Sequence, residues 1–228
     1  MEPAGLERPI LAVDVVVFSV SRGRLRVLLH RRGQDPFAGA PALPGVAVKV
    51  DETLEDAARR ALAVKAGWPP DAPEDLYVEQ LATFDGLYRD PRGRTVSVAY
   101  LGLSPARSAP VRKLFWELAD GLGRGSLPFD HDRILETALA RLRGKLRYTN
   151  IAGRFFPEAF RIDELQKVYE AVLHRSLNRT NFRNKLLKLG LIEQVRALSE
   201  AVGKKGGRPP HLYAFAREEV EAADRDFL

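Results

Sequence analysis

In the run RTNFRNKLLKLG, residues 179–190, the apolar side chains Phe182, Leu186 and Leu189 recur at helical spacing, which turns Thr180, Asn184 and Lys188 to the opposite face. Arg179, Asn181 and Arg183 flank that face, and it carries no acid. Arg, Asn and Thr are the side chains that read base edges in a duplex major groove, so this stretch is predicted to contact DNA. A second chemical cluster is acidic. Glu52, Glu55 and Asp56 fall around the first turn of a predicted helix, where carboxylates either hold a divalent cation or cap the helix and favour its dipole. Asp130, His131 and Asp132 pose the same choice at the head of another helix, and capping is the expected role for both groups.

The donor-rich helix is one half of a pair. FRIDELQKVYEAVL predicts a preceding helix that buries Leu165, Val168, Tyr169, Val172 and Leu173, and the short turn HRSL leads into a second helix capped by Asn178 and closed by Gly190. Helix, tight turn and a helix with donors at its N-terminal end is the arrangement of a helix-turn-helix. LIEQVRAL and HLYAFA then read as two short strands, joined through SEAVGKKGGRPP. From that basic tip Lys204, Lys205 and Arg208 can reach phosphates or a minor groove, as a wing does.

The first half is rich in strands. ILAVDVVVFSV (10–20) and RLRVLLHRR (24–32) flank SRG, a hairpin turn. A Pro/Gly-rich loop, PFAGAPALPG, and a third extended run, VAVKV, lead to a helix with Thr53 as N-cap and Asp56 three residues on, a capping box. Its apolar positions are Leu54, Ala57, Ala58, Ala61, Leu62 and Val64, and Gly67 with Trp68-Pro69-Pro70 is expected to end it. LYVEQLATF (76–84) and TVSVAYLGL (95–103) follow as strands, with DPRGR between them suited to a type I turn. FDHDRILETALARLRGKLRYT predicts a linking helix. The organisation is α+β: a mixed sheet with packed helices over residues 1–147, including a linking helix at 130–147, then a winged helix-turn-helix over 148–228.

Bulk properties narrow the classes. The 228 residues are 45% hydrophobic and 29% charged, enough for two modest cores, and no apolar run approaches the roughly 20 residues that cross a membrane. Without cysteine the chain has no disulfide and no thiol chemistry, and a soluble cytoplasmic protein is expected. The net charge of +6 is local. Residues 141–228 hold 18 Lys and Arg against 11 Asp and Glu, whereas the remainder holds 18 against 19, so the basic half is the one expected to meet nucleic acid.

RRGQDPFAGAPALPG running into VKVDETLEDAARRALAVKAGW resembles a Nudix domain, whose signature helix holds metal against a nucleoside-diphosphate substrate. Glu52, Arg60 and Gly67 match that family's pattern. Val46 stands at its first Gly, and Ala61, Val64 and Lys65 stand where it has acids. Carboxylates at those three places would share one helical stripe and hold Mg²⁺; without them no metal site, no catalytic residue and little or no hydrolysis are expected. Binding can outlive chemistry, since Lys65 puts an ammonium where a metal ligand would sit and can neutralise a pyrophosphate directly. Arg31, Arg32, Arg89, Arg92 and Arg94 are candidate phosphate contacts, with Phe37 or Tyr88 to stack on a base.

Both halves together, through PFAGAPALPG, DPRGRTVSVAYL, LPFDH, LRGKLRYT and RTNFRNKLLKLGLIE, resemble the Nudix-related transcriptional regulators of NAD metabolism. That resemblance implies a homodimer on a palindromic operator in double-stranded DNA, ADP-ribose or a related nucleotide as effector, no resident cofactor, and control of NAD biosynthesis or salvage genes. An active Nudix hydrolase with a nucleic-acid module, and a regulator that senses a sugar or sugar phosphate, are the alternatives.

Overall fold

A computed structural model of the chain describes residues 8–66, 76–105, 114–195 and 211–223. They divide into two compact units, Met1–Ser19 with Arg26–Leu139, and Val20–Leu25 with Ala140–Leu228. Among the described residues no helix is long and apolar enough to cross a membrane.

The large sheet is built on a long hairpin. Strand β1 (Ile10–Ser21) and strand β2 (Arg24–Arg31) are joined by Arg22 and Gly23, both at positive φ, the two-residue geometry that follows strand twist. Strands β3 (Pro41–Ala42) and β4 (Gly45–Ala47), helix α1 (Leu54–Ala66), and strands β5 (Tyr77–Phe84), β6 (Thr95–Leu103) and β7 (Leu114–Leu118) follow. The sheet runs β3-β2-β1-β6-β5, with β4 paired to β1 and β7 to β2. β1 and β6 are parallel, and the neighbouring β5 is antiparallel to β6 with an irregularity at Leu81, so the sheet is mixed as expected.

Strand alternation sorts β1 into two faces. Val13, Val15 and Val17 join Val98 and Tyr100 of β6 against Ala57, Ala58, Ala61 and Leu62 of α1, all of them buried. Asp14 points the other way, and Ser97 of β6 with it. The capping box on α1 forms as predicted: Thr53 Oγ accepts from the Asp56 amide, and the Thr53 amide donates back to the Asp56 carboxylate.

The run 46–50 is not one strand; β4 ends at Ala47, and Val50 is fully exposed. β3 and β7 are too short or too weakly patterned to have been expected. Val64, expected on the apolar side of α1, is 65% exposed, because the buried stripe runs through Ala58, Ala61 and Leu62 instead. The expected stop at Gly67 to Pro70 lies outside the described residues.

Helix α2 (His131–Tyr148) begins one residue later than expected and ends one later. In the second unit strand β8 (Phe160–Arg161), helix α3 (Ile162–Leu173), helix α4 (Arg179–Lys188), strand β9 (Ile192–Val195) and strand β10 (Leu212–Phe215) complete the chain. β10 lies between β8 and β9, antiparallel to both, so the small sheet has a third strand that the sequence did not announce. Asn150, nearly buried, satisfies its amide fully: its nitrogen donates to the Arg217 and Glu219 carbonyls and its oxygen accepts from the Glu221 amide.

Candidate functional site

α4 is held by a small apolar contact and presents the rest of its surface. Tyr169 of α3 packs edge-on against Phe182, with ring centroids 5.0 Å apart, and Leu186 is buried one turn on. His174 at φ 52 ends α3, and the Asn178 side chain caps α4 by accepting from the Asn181 amide at 3.0 Å. Gly190 at φ 65 takes the left-handed position just past the helix, where a side chain would be strained. Arg179, Thr180, Asn181, Asn184 and Lys188 are exposed, as a reading surface requires. Arg183 is half-buried and lies along the helix, its guanidinium donating to the Asn184 side-chain oxygen at 2.9 Å. Leu189 is half-buried rather than part of the core. Lys204, Lys205 and Arg208 lie outside the described residues.

In the first unit the acids around the first turn of α1 each have a partner. Arg60 grips Glu52 with two nitrogens, at 2.8 and 2.5 Å, and also donates to the Ala47 carbonyl. That hydrogen bonding, with a further bond from the Lys49 amide, pulls the Glu52 carboxyl down to about 2. Glu55 pairs with Arg59 one turn along, and Asp56 serves the cap. Among the described residues no three acids or histidines stand together as a metal site would need. Nor do the three missing-acid positions share one environment: Ala61 is sealed in the core, whereas Val64 and Lys65 face out.

The acids that the sequence left as caps do more. Asp14, Arg89, Asp130 and His131 form a buried polar network on the sheet face opposite α1. The Arg89 side chain is 5% exposed; it donates to Asp130 at 2.6 and 3.0 Å and to Asp14 at 3.2 Å. Burial opposes its charge, but Asp130 and Asp14 outweigh that and hold the guanidinium above its ordinary value. Ser97 Oγ donates to Asp14 at 2.7 Å. His131 Nδ1 accepts from the Leu43 amide at 3.1 Å, which leaves its proton on Nε2, facing Asp14 at 3.5 Å. Burial lowers the His131 pKa despite Asp14 and Asp130, so the ring is neutral and its contact with Asp14 is not an ion pair at neutral pH. Arg89, expected among the phosphate contacts, is therefore committed to the interior. Asp132 accepts from the Gly125 and Leu127 amides and shapes the loop before α2.

Beside this network lies a cluster that only folding assembles. Arg32 stacks over the Phe129 ring at 4.6 Å and Arg92 at 5.7 Å, and Phe37 meets the same ring edge-on at 5.1 Å. Phe37 is 46% exposed and Arg92 57% in its side chain, so the cluster opens to solvent. Arg32 is aimed by the Pro36 carbonyl, and Arg92 by Asp90 through two side-chain bonds. Burial and then the nearby Arg92 charge lower the Arg32 pKa: two cations are held close together, an arrangement that an anion relieves. Both Phe37 (φ 67) and Phe129 (φ 59) sit in the left-handed region, which bulky residues adopt only under constraint and which gathers at functional sites.

Of the other candidates, Lys65 is exposed in the last turn of α1, and its charge reaches His30, whose pKa is lowered by burial first and then by Lys65, His131 and Arg32. Arg31 stacks on Phe115 and donates to the Gly39 carbonyl. Arg94 closes the 85–94 loop through the Asp85 and Gly86 carbonyls. Tyr88 is 93% exposed and takes no part in the cluster. Sequence reasoning missed Asp14, although a single acid inside the apolar run VDVVV was the available signal. Nothing local marked Phe129.

Residues 152–215 match the NrtR DNA-binding winged helix domain, and residues 9–120 match the NUDIX domain. The ADPR responsive transcriptional repressor NtrR of Acinetobacter baylyi is 34% identical over 220 residues, covering 93% of this chain and 84% of that one. The crystal structure of Shewanella oneidensis NrtR complexed with a 27mer DNA superposes with a TM-score of 0.72 at 31% identity, over 90% of this chain and 93% of that one. The NUDIX domain of the same Shewanella protein, complexed with ADP ribose, gives 0.54 at 34% identity over 62% of this chain and 94% of that one.

Proposed function

The chain belongs to the NrtR family of transcriptional regulators, and from that premise we propose that it is a repressor that binds a palindromic operator as a homodimer and changes its affinity for DNA when ADP-ribose occupies the first unit. The genes it controls are those of NAD biosynthesis or salvage. The observation that carries this reading is the exposed, acid-free face of α4, with Arg179, Thr180, Asn181, Asn184 and Lys188 turned outward from a helix-turn-helix. Arg183 reaches a base by releasing Asn184, and Lys204, Lys205 and Arg208 supply phosphate contacts. A homodimer follows from recognition physics, because one small winged helix buries too little surface to select a site alone.

ADP-ribose brings a planar base and a diphosphate. Phe129 and Phe37 offer rings to the base, and Arg32, Arg92 and Lys65 offer charge to the phosphates, with Arg31, Arg94 and Tyr88 near them in sequence. Hydrolysis is not part of this function: Ala61, Val64 and Lys65 offer no carboxylate, and Glu52 is held by Arg60, so the described residues hold no set of ligands to gather a cation that would polarise a diphosphate bridge. The test is a fluorescence titration of the promoter region beside the chain's own gene, with and without ADP-ribose. A ligand-dependent change in affinity is expected. Unchanged affinity at saturating ADP-ribose, or Mg²⁺-dependent turnover of ADP-ribose, overturns the reading.

A further inference from the structure

Residues 129–131 tie three things together in consecutive positions. The Phe129 ring carries both guanidiniums of the open cluster, Arg32 and Arg92. Asp130 is held by Arg89 through two hydrogen bonds and accepts the first helical bond of α2, from the Ile134 amide at 3.1 Å. His131 is fixed by the Leu43 amide and donates its own amide to the Pro128 carbonyl. We propose that Phe129, Asp130 and Arg89 form a relay in which a ligand drawn to Arg32 and Arg92 repacks the Phe129 ring, and the Asp130–Arg89 pair passes that change to the first turn of α2. The relay rests on the reading of the cluster as the ADP-ribose site.

A phosphate that engages either guanidinium competes with the acceptors that now aim it over the ring, the Pro36 carbonyl for Arg32 and Asp90 for Arg92, and so draws it from that position. The ring then loses a partner while its backbone, at φ 59, has the ordinary right-handed well to relax into, a discrete alternative rather than a continuum. Lastly, the next residue cannot absorb the change. Asp130 is pinned by a side chain that is itself 5% exposed and bonded to Asp14, so a turn at Phe129 has to move either that buried pair or the helix that Asp130 begins. α2 continues past Leu139, where the first unit ends in sequence.

Two measurements test this on the full chain. Hydrogen exchange of the unaltered protein, with and without saturating ADP-ribose, is expected to change severalfold in peptides covering 129–134. In Asp130→Asn the ADP-ribose Kd is expected to stay within about threefold while the effect of ADP-ribose on DNA affinity shrinks by about tenfold, the size of a typical coupling. Bound ADP-ribose with unchanged exchange at 129–134 overturns the relay, as does an Asp130→Asn protein that responds in full or one that no longer binds ADP-ribose. The exchange measurement needs no substitution, so it decides even where Asp130→Asn does not fold. Failure of the unaltered chain to bind ADP-ribose overturns the effector reading and the relay together, a result distinct from binding without transmission.

Discussion

Gly45→Ala is a one-carbon change with a large expected effect. Gly45 lies opposite Asp14 in the β1–β4 pairing, and a Cβ there would stand 2.2 Å from Asp14 Oδ1 and 3.0 Å from the Val13 carbonyl. The first distance is about 1 Å inside ordinary van der Waals contact. The carboxylate has to swing, and in doing so it leaves Ser97 at 2.7 Å and Arg89 at 3.2 Å. Hydrogen bonds to a charged group are worth about 1.5–3 kcal/mol each, and a broken buried ion pair costs about 3–5 kcal/mol. Arg89 keeps Asp130, which places the cost at the lower end, about 3 kcal/mol. At roughly 2–4 °C per kcal/mol, the melting temperature of the first unit falls by about 6–12 °C. Both tryptophans, Trp68 and Trp116, fall in the sequence range of that unit, so intrinsic fluorescence reports its unfolding. In an Asp14→Ala background the 2.2 Å contact is gone and only the 3.0 Å approach to the Val13 carbonyl remains, so Gly45→Ala should cost clearly less there than in the unaltered chain, as expected of coupled neighbours. A Gly45→Ala protein that melts within about 2 °C of the unaltered chain refutes the packing argument.

Three further outcomes follow from the same geometry. Tyr169 has a fully buried hydroxyl with no hydrogen-bond partner among the described residues, so Tyr169→Phe should leave stability unchanged or raise it by up to about 1–2 kcal/mol in chemical denaturation; a loss of more than about 1 kcal/mol would show a further partner. His131 is neutral when folded because burial lowers its pKa, and it takes up a proton on unfolding below its ordinary value of 6.5; its contribution is intact above about pH 6.5 and is lost as pH falls below it, so unfolding curves measured from pH 7.5 to 5 should show declining stability, and a flat profile counts against the neutral ring. Asn184→Ala should reduce discrimination among operator variants by about 1–3 kcal/mol while leaving non-specific binding nearly intact; equal losses on all duplexes would assign Asn184 to the backbone instead.

The elements were largely legible from residue patterns. TVSVAYLGL predicted β6 to the residue, Thr53 with Asp56 predicted the cap of α1, and Asn178 and Gly190 predicted the ends of α4, because alternation, capping and left-handed closure are local matters that each segment settles within a few residues. The acid-free face of α4 was equally plain, since its meaning depends on which side chains lie one turn apart. Short strands such as β3 and β8 were not, because two residues carry no period and exist only where a neighbour pairs with them.

The candidate ligand cluster belongs to tertiary structure. Arg32 and Phe37, Arg92, and Phe129 come from three places in the chain, and no local rule makes Phe129 the ring on which both guanidiniums rest. The fate of Arg89 was decided the same way: the sequence shows a cation, but only the arrival of Asp14 and Asp130 from distant elements removes it from solvent and turns a phosphate candidate into an internal tie. Composition and spacing determine which chemistry a residue can offer. Burial and partners are sums over the whole fold, and they decide which of those offers remains open to a ligand.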